Sequence, residues 1–253
     1  MTCHGSKLLG AALVLFFSFP AHAQIVNVLP RTETTTEGWN VDVSSPLEWR
    51  RGPTDRLRIG GNLQVRWASA PHTLLFVAQG EHERTNGDLT IGRHFQHLRY
   101  QHTLSPLLTL EAFVQHAADE KARLNLRALA GAGPRFTLLQ GTRGHLWLGI
   151  AYLYEIERYQ EAAGVEERRN HRASSYLRGV LRIDDTLSLS HVTFFQPALN
   201  DPANARMSSE SSVILSWRAL SLRPTFQLIY DPYRPAGVDK LETILLSTAG
   251  ISF

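Results

Sequence analysis

Residues 123–138 read RLNLRALAGAGPRFTL. Leu124, Leu126, Ala128, Ala130, Ala132, Phe136 and Leu138 share one parity, and Arg123, Asn125, Arg127, Gly131, Gly133 and Arg135 share the other. Successive side chains of a strand point to opposite faces, whereas an amphipathic helix repeats its apolar positions every three or four residues. The stretch is therefore a strand with one apolar face and one face that carries arginine near its middle.

The same two-residue period extends in both directions. Leu146, Leu148, Ile150, Tyr152, Tyr154 and Ile156 oppose Gly149, Ala151, Glu155 and Glu157. Leu220, Leu222, Pro224, Phe226, Leu228 and Tyr230 oppose Ser221, Arg223, Thr225, Gln227 and Asp231, and a last run over 241–253 ends at Phe253. Further runs fall at about 39–49, 56–68, 73–83, 92–103, 107–116, 174–183, 186–196 and 207–218, which gives about twelve strands. Short turns at 69–72, 104–106, 140–144, 184–185 and 219 interleave with longer connections at 50–55, 84–91, 117–121, 160–172, 197–206 and 231–239. In an up-and-down meander every second connection lies at the same end. An even strand count then puts both chain ends on the side of the short turns.

Twelve two-faced strands can build a soluble sandwich or a barrel in a bilayer. The polar face carries charges of both signs in mid-strand, among them Arg127, Glu155, Arg178, Arg182, Glu210, Arg223 and Glu242. Such residues suit an enclosed interior where Arg and Glu neutralise one another. A bilayer supplies no water to unpaired backbone amides, so strands survive there only in a closed ring. Trp39, Trp49, Tyr100, Tyr154, Trp217, Tyr230 and Phe253 lie near run ends, where interfacial girdles form. The expected fold is all-β: a closed, up-and-down, antiparallel transmembrane β-barrel of about twelve strands.

Composition agrees with an exported envelope protein. Of 26 basic residues only Lys7, Lys121 and Lys240 are lysine, and a net charge of +3 over 253 residues gives no reason to expect nucleic acid. Lys7, the apolar run Leu8 to Phe19 and Ala21-His22-Ala23 form a signal peptide over 1–23 with a small-x-small cleavage site. Cys3 leaves with it, and the mature chain has no cysteine. Residues 24–38 are expected to be a periplasmic N-terminal segment and 39–253 the outer-membrane barrel, with both termini periplasmic.

Several segments resemble a known family: Phe95 to Tyr100 (FQHLRY), Leu104-Ser105-Pro106, Leu110 to Gln115 (LEAFVQ), Leu124 to Gly133, Ser175 to Arg178, Phe195-Gln196-Pro197, Ser209 to Ser212 and Tyr230-Asp231. In this order, over about 25–253, the chain resembles the family catalogued as domain of unknown function 481, salt-induced outer-membrane proteins. Arg51-Gly52-Pro53-Thr54 stands where relatives commonly carry Ser-Gly-Asn-Thr, and Ala117-Ala118-Asp119 also departs from the pattern. The resemblance implies an outer-membrane location and carries over no catalytic residue.

The functional candidates are the charges of the enclosed face: Arg123, Arg127, Arg135, Glu155, Glu157, Arg178, Arg182, Glu210, Arg223 and Glu242. A column of fixed charge would select solutes in a narrow, porin-like pore, and the same residues pairing off would plug the barrel. Phe253 is the expected signal for the barrel-assembly machinery. Glu161, Glu166, Glu167, Arg168, Arg169, His171 and Arg172 read as a solvated loop that could meet lipopolysaccharide phosphates. Asn200, Asp201 and Asn204 read as a turn rather than a calcium site, and no cofactor or metal is expected. An enzyme reading, a lipid hydrolase, would need a nucleophile and a base. His191 lies beside Ser188 and Ser190, but alternation puts Ser190 on the opposite face. His94, His97, His102 and His116 have no compact spacing. The expected role is that of a narrow pore or a structural or stress-related envelope component, with outer-membrane lipid and lipopolysaccharide as surroundings.

Overall fold

A computed structural model describes residues 37–251. The signal peptide, most of the periplasmic segment and Phe253 lie outside the described residues. The chain forms β1 (Gly38–Ser44), β2 (Leu47–Arg50), β3 (Arg56–Ser69), β4 (His72–Thr85), β5 (Asp88–Ser105), β6 (Leu108–Asp119) and β7 (Leu124–Gln140). It continues through β8 (Gly144–Glu161), β9 (Gly164–Arg182), β10 (Leu187–Pro197), β11 (Ala205–Trp217), β12 (Leu220–Tyr230) and β13 (Leu241–Ile251). All pairings are antiparallel, and from β3 onward each strand pairs with the next in sequence. Among the described residues the ladder ends at β1 and β13 with no pairing between them.

The expected first run, 39–49, is two strands, β1 and β2, and both pair with β3. Pro46, which has no N–H to give to the ladder, breaks it. Its carbonyl instead accepts the Gly60 N–H at 2.9 Å. A Cβ on Gly60 would stand 2.8 Å from the Pro46 ring, so glycine is what lets the break nest against β3. Counting β1 and β2 as one wall leaves twelve positions around the sheet.

Two expected long connections are strand instead. Residues 84–91 form a tight hairpin through Asn86 (φ 53°) and Gly87 (φ 89°), the pair that a type I′ turn requires. Residues 160–172 belong almost wholly to β8 and β9, which run 18 and 19 residues and turn at Ala162 and Ala163. A tilted strand needs about 9–11 residues to cross a bilayer, so this hairpin reaches beyond it. The charged residues that read as a loop in fact pair across and along the strands: Arg158–Glu167 across the hairpin at 2.8 Å and Arg169–Glu167 within β9 at 2.7 Å. At the opposite end, Asp184 closes the turn from β9 to β10. The Thr186 hydroxyl, together with the backbone N–H groups of Thr186 and Leu187, holds its carboxyl below the usual range.

The burial pattern is inside out. Arg127, Glu155, Glu157, Arg172 and Arg206 are among the most enclosed side chains, while Val114, Ile150, Leu177, Phe226 and Leu245 are exposed. Side chains from strands that are not neighbours meet on the concave side, as where the Tyr176 hydroxyl of β9 donates to Glu111 of β6 at 3.0 Å. A water-facing sheet would hide the apolar residues and show the charges. The reverse arrangement is that of an up-and-down transmembrane barrel. Gly38 and Ile251 stand at the same end, with the turns at Ala70-Pro71, Gly141 to Arg143 and Arg218-Ala219.

One face assignment changes. A register shift between Leu124 and Leu126 turns Leu124 inward, where it packs with Leu75, Val77, Phe95, Ala117 and Tyr159, and leaves Asn125 outward.

Candidate functional site

The hub of the most extensive ion-pair network is Glu155 on β8, fully enclosed at 0% exposure. Strand parity aims it inward, and three arginines from three other strands converge on it. Arg127 Nε of β7 donates at 2.8 Å, Arg172 Nε of β9 at 2.8 Å, and Arg206 Nη1 of β11 reaches both oxygens at 3.0 and 2.9 Å. Arg206 extends the network: its Nη2 donates to Glu157 at 2.8 Å and its Nε stands 3.0 Å from Asp231. Arg172 gives its remaining donors to the carbonyls of Gln196 (3.0 Å) and Asn204 (2.8 Å) and to Asn204 Oδ1 (3.0 Å). Three guanidinium groups thus face the carboxylates of Glu155, Glu157 and Asp231, and the cluster is close to neutral. Asp231 lies just past the end of β12. Burial pushes its carboxyl up, but Arg206 and the Tyr233 N–H outweigh that and hold it below the ordinary carboxylate range.

Two smaller acid-centred clusters flank the first. Glu111 accepts from Arg99 at 2.9 Å, Gln101 at 2.6 Å and Tyr176, with Arg135 at 3.6 Å. Glu81 pairs with Arg58 and Arg93, and Glu83 lies 3.8 Å from Arg56 and from Arg58. Between the Glu155 and Glu111 clusters the interior holds a cavity of about 40 Å³, lined among others by His97, Arg99, Phe113, Arg127 and Tyr176. That is room for a very few waters and for no larger solute. Gly131 helps to close it, because a Cβ there would stand 2.6 Å from the Phe113 ring.

Of the residues singled out from sequence, Arg127, Glu155 and Glu157 come together, and Arg135 joins the Glu111 group. Arg178 is buried, its guanidinium 5.9 Å from the centre of the Trp147 ring. Glu210 accepts from Gln227 at 2.8 Å, and Glu242 pairs with Arg234 at 3.2 Å. Arg182 and Arg223 lie exposed near the short-turn end. Arg123 is not on the strand: it occupies the β6–β7 turn with φ 53° and donates to the Ala236 carbonyl at 3.2 Å. Asn204, read from sequence as part of a turn, is an acceptor for Arg172.

Sequence reasoning placed Arg172 in a solvated loop, whereas it is fully buried, left Asp231 as one residue of a polar strand face, and passed over Arg206, Glu111 and Arg99. Arg172 continues the parity of Ser174, Tyr176 and Arg178, and Arg206 that of Ser208, Glu210 and Ser212, so both were recoverable by extending the runs. Of the histidines, His97 points inward, while His94 and His116 stack on the outer face with ring centres 5.0 Å apart. His191 is also outward, with Ser211 and Thr193 rather than Ser188 or Ser190 as its partners.

Solved structures similar to this chain include a bacterial polysaccharide outer membrane secretin, at 7% identity and TM-score 0.47 over 85% of this chain and 89% of that one. Another is the translocator domain of the autotransporter NalP from Neisseria meningitidis, at 10% identity and TM-score 0.46 over 89% of this chain and 92% of that one. The beta domain of the Bordetella autotransporter BrkA is similar at 9% identity and TM-score 0.37 over 85% and 97%. No curated protein matches the chain. Over residues 47–253 it matches the family model described as "Protein of unknown function, DUF481", and it belongs to that family.

Proposed function

We propose that the protein is an outer-membrane barrel closed by its own ion pairs near the end that carries the β8–β9 hairpin, acting as a structural or stress-related component of the envelope rather than as an open pore. The observation that carries this reading is the Glu155 cluster, in which the charges that could line a channel are spent on one another. Arginine suits the role, because its planar fork bridges two carboxylates and stays charged at any physiological pH. Both ends of the described chain are periplasmic in this reading. The β8–β9 hairpin then projects outward, with Arg158 and Arg169 at the level of lipopolysaccharide phosphates. Delivery by the barrel-assembly machinery, with Phe253 as the recognised end, belongs to the same proposal.

Planar-bilayer recording of the purified protein tests the plug. The expected result is no steady conductance at any moderate voltage. A stable, ohmic conductance from the unmodified chain would overturn the closed-barrel reading in favour of a pore.

A further inference from the structure

The enclosed face changes character along its length. At the end that carries the β8–β9 hairpin, Arg206 is taken up by Glu155, Glu157 and Asp231. Toward the short turns, the β9–β12 wall turns Arg182 and Arg223 inward, with Ser188 and Thr248 as their register partners. Among the described residues neither arginine makes an ion pair. Arg182 shares the parity of buried Tyr176 and Arg178, and Arg223 that of buried Thr225, yet both arginines are exposed. An inward side chain is exposed only where the lumen holds water, so this end of the barrel is an open mouth.

A row of hydroxyls lies one step deeper. Ser190, Ser212 and Thr225 follow one another in register across β10, β11 and β12, and the Ser212 and Thr225 hydroxyls bond across 2.8 Å. The acids on this side do not cancel the arginines. Glu210 lies deeper still and accepts from Gln227 at 2.8 Å, while Asp184 is engaged in its own turn by Thr186 and Leu187, with Asp185 beside it. Residues 24–36 contribute one base and one acid, Arg31 and Glu33, and so add no net negative charge.

We infer that this mouth is a binding vestibule for small phosphate-bearing anions. Low-dielectric walls focus the field of the two guanidinium groups into a blind space and raise the local concentration of anions there. The arginine fork gives two parallel N–H bonds to phosphate oxygens, and the serine hydroxyls can donate to the oxygens that remain. That the solute comes from the periplasm rests on the orientation proposed above. The binding chemistry itself depends on neither orientation nor closure.

After residue 23 the chain has no cysteine, so Ser188→Cys places a single thiol beside Arg182. The purified protein in detergent at low salt is labelled with an anionic, sulfonate-bearing methanethiosulfonate and with its cationic, trimethylammonium analogue. The ratio of anionic to cationic rate is expected to be several-fold higher at Ser188→Cys than at Val165→Cys on the exposed hairpin tip. Adding Arg182→Glu and Arg223→Glu should reverse the preference. Inorganic pyrophosphate should slow labelling of the unreversed chain several-fold, and sodium chloride at equal ionic strength should not. Equal ratios at the two thiols, a Ser188→Cys thiol that neither reagent reaches, or equal protection by chloride would each overturn the vestibule. Equal protection by phosphatidylglycerol in the micelles would overturn the solute in favour of a lipid headgroup. Pyrophosphate protection together with a stable conductance would contradict the plug and uphold the vestibule.

Discussion

Glu155→Ala is expected to lower the unfolding free energy of the barrel by about 3–5 kcal/mol, measured by urea denaturation in vesicles. The substitution removes the shared acceptor of Arg127, Arg172 and Arg206 and leaves three guanidinium groups crowded in a space that excludes water. Most of the loss is therefore the cost of uncompensated charge rather than of missing contacts. Glu166→Ala, which removes a carboxylate from an exposed pair with Arg168 (2.7 Å), should change stability by no more than about 1 kcal/mol. The double substitution Glu155→Ala with Arg206→Ala should cost less than the sum of the two single ones, because each removes the reason for the other's penalty. Similar losses from Glu155→Ala and Glu166→Ala would mean that the interior is wet and its charges independent.

Val114→Arg is expected to cost about 2–4 kcal/mol in the same measurement, since Val114 is 51% exposed, near mid-wall and in register with Leu98 and Ala130. Val165→Arg, at the tip of the β8–β9 hairpin and 58% exposed, should stay within about 0.5 kcal/mol of wild type. The two valines are alike in exposure and differ only in the solvent that this account assigns to them. Were the outer face in water, both substitutions would be nearly neutral.

Strand alternation made the architecture readable because a barrel wall obeys one rule along its whole length. Each of the expected runs after the first, which is two strands, corresponds to one strand, and Glu155 and Arg127 could be placed on the enclosed face from parity alone. The errors come from what parity does not encode. Pro46 could be seen as a breaker, but not that Gly60 would receive it and keep β1 and β2 on one wall. The charged stretch 160–172 read as a loop because a strand that leaves the hydrocarbon loses its apolar face while keeping its ladder. A single bulge after Leu124 reversed the side of that residue. The site was less legible than the fold, since Arg206 meets Glu155 from 51 residues away and strands three apart touch only once the sheet has curled. The Asn86-Gly87 turn, by contrast, was in plain view and could have been read.

The central claim is that one parity of every strand faces hydrocarbon and the other an enclosed, ion-paired interior. Single cysteines placed one at a time at Ala128, Leu129, Ala130, Ala132, Arg135 and Phe136 on β7, labelled with a polarity-sensitive fluorophore in vesicles containing brominated lipid, test it most directly; Gly131 and Gly133 stay unchanged, because a Cβ at either would collide with its neighbours. The account predicts strong lipid quenching at Ala128, Ala130, Ala132 and Phe136 and weak quenching at Leu129 and Arg135, a two-residue rhythm. Uniform quenching along the strand, or the same rhythm with the faces exchanged, would contradict it.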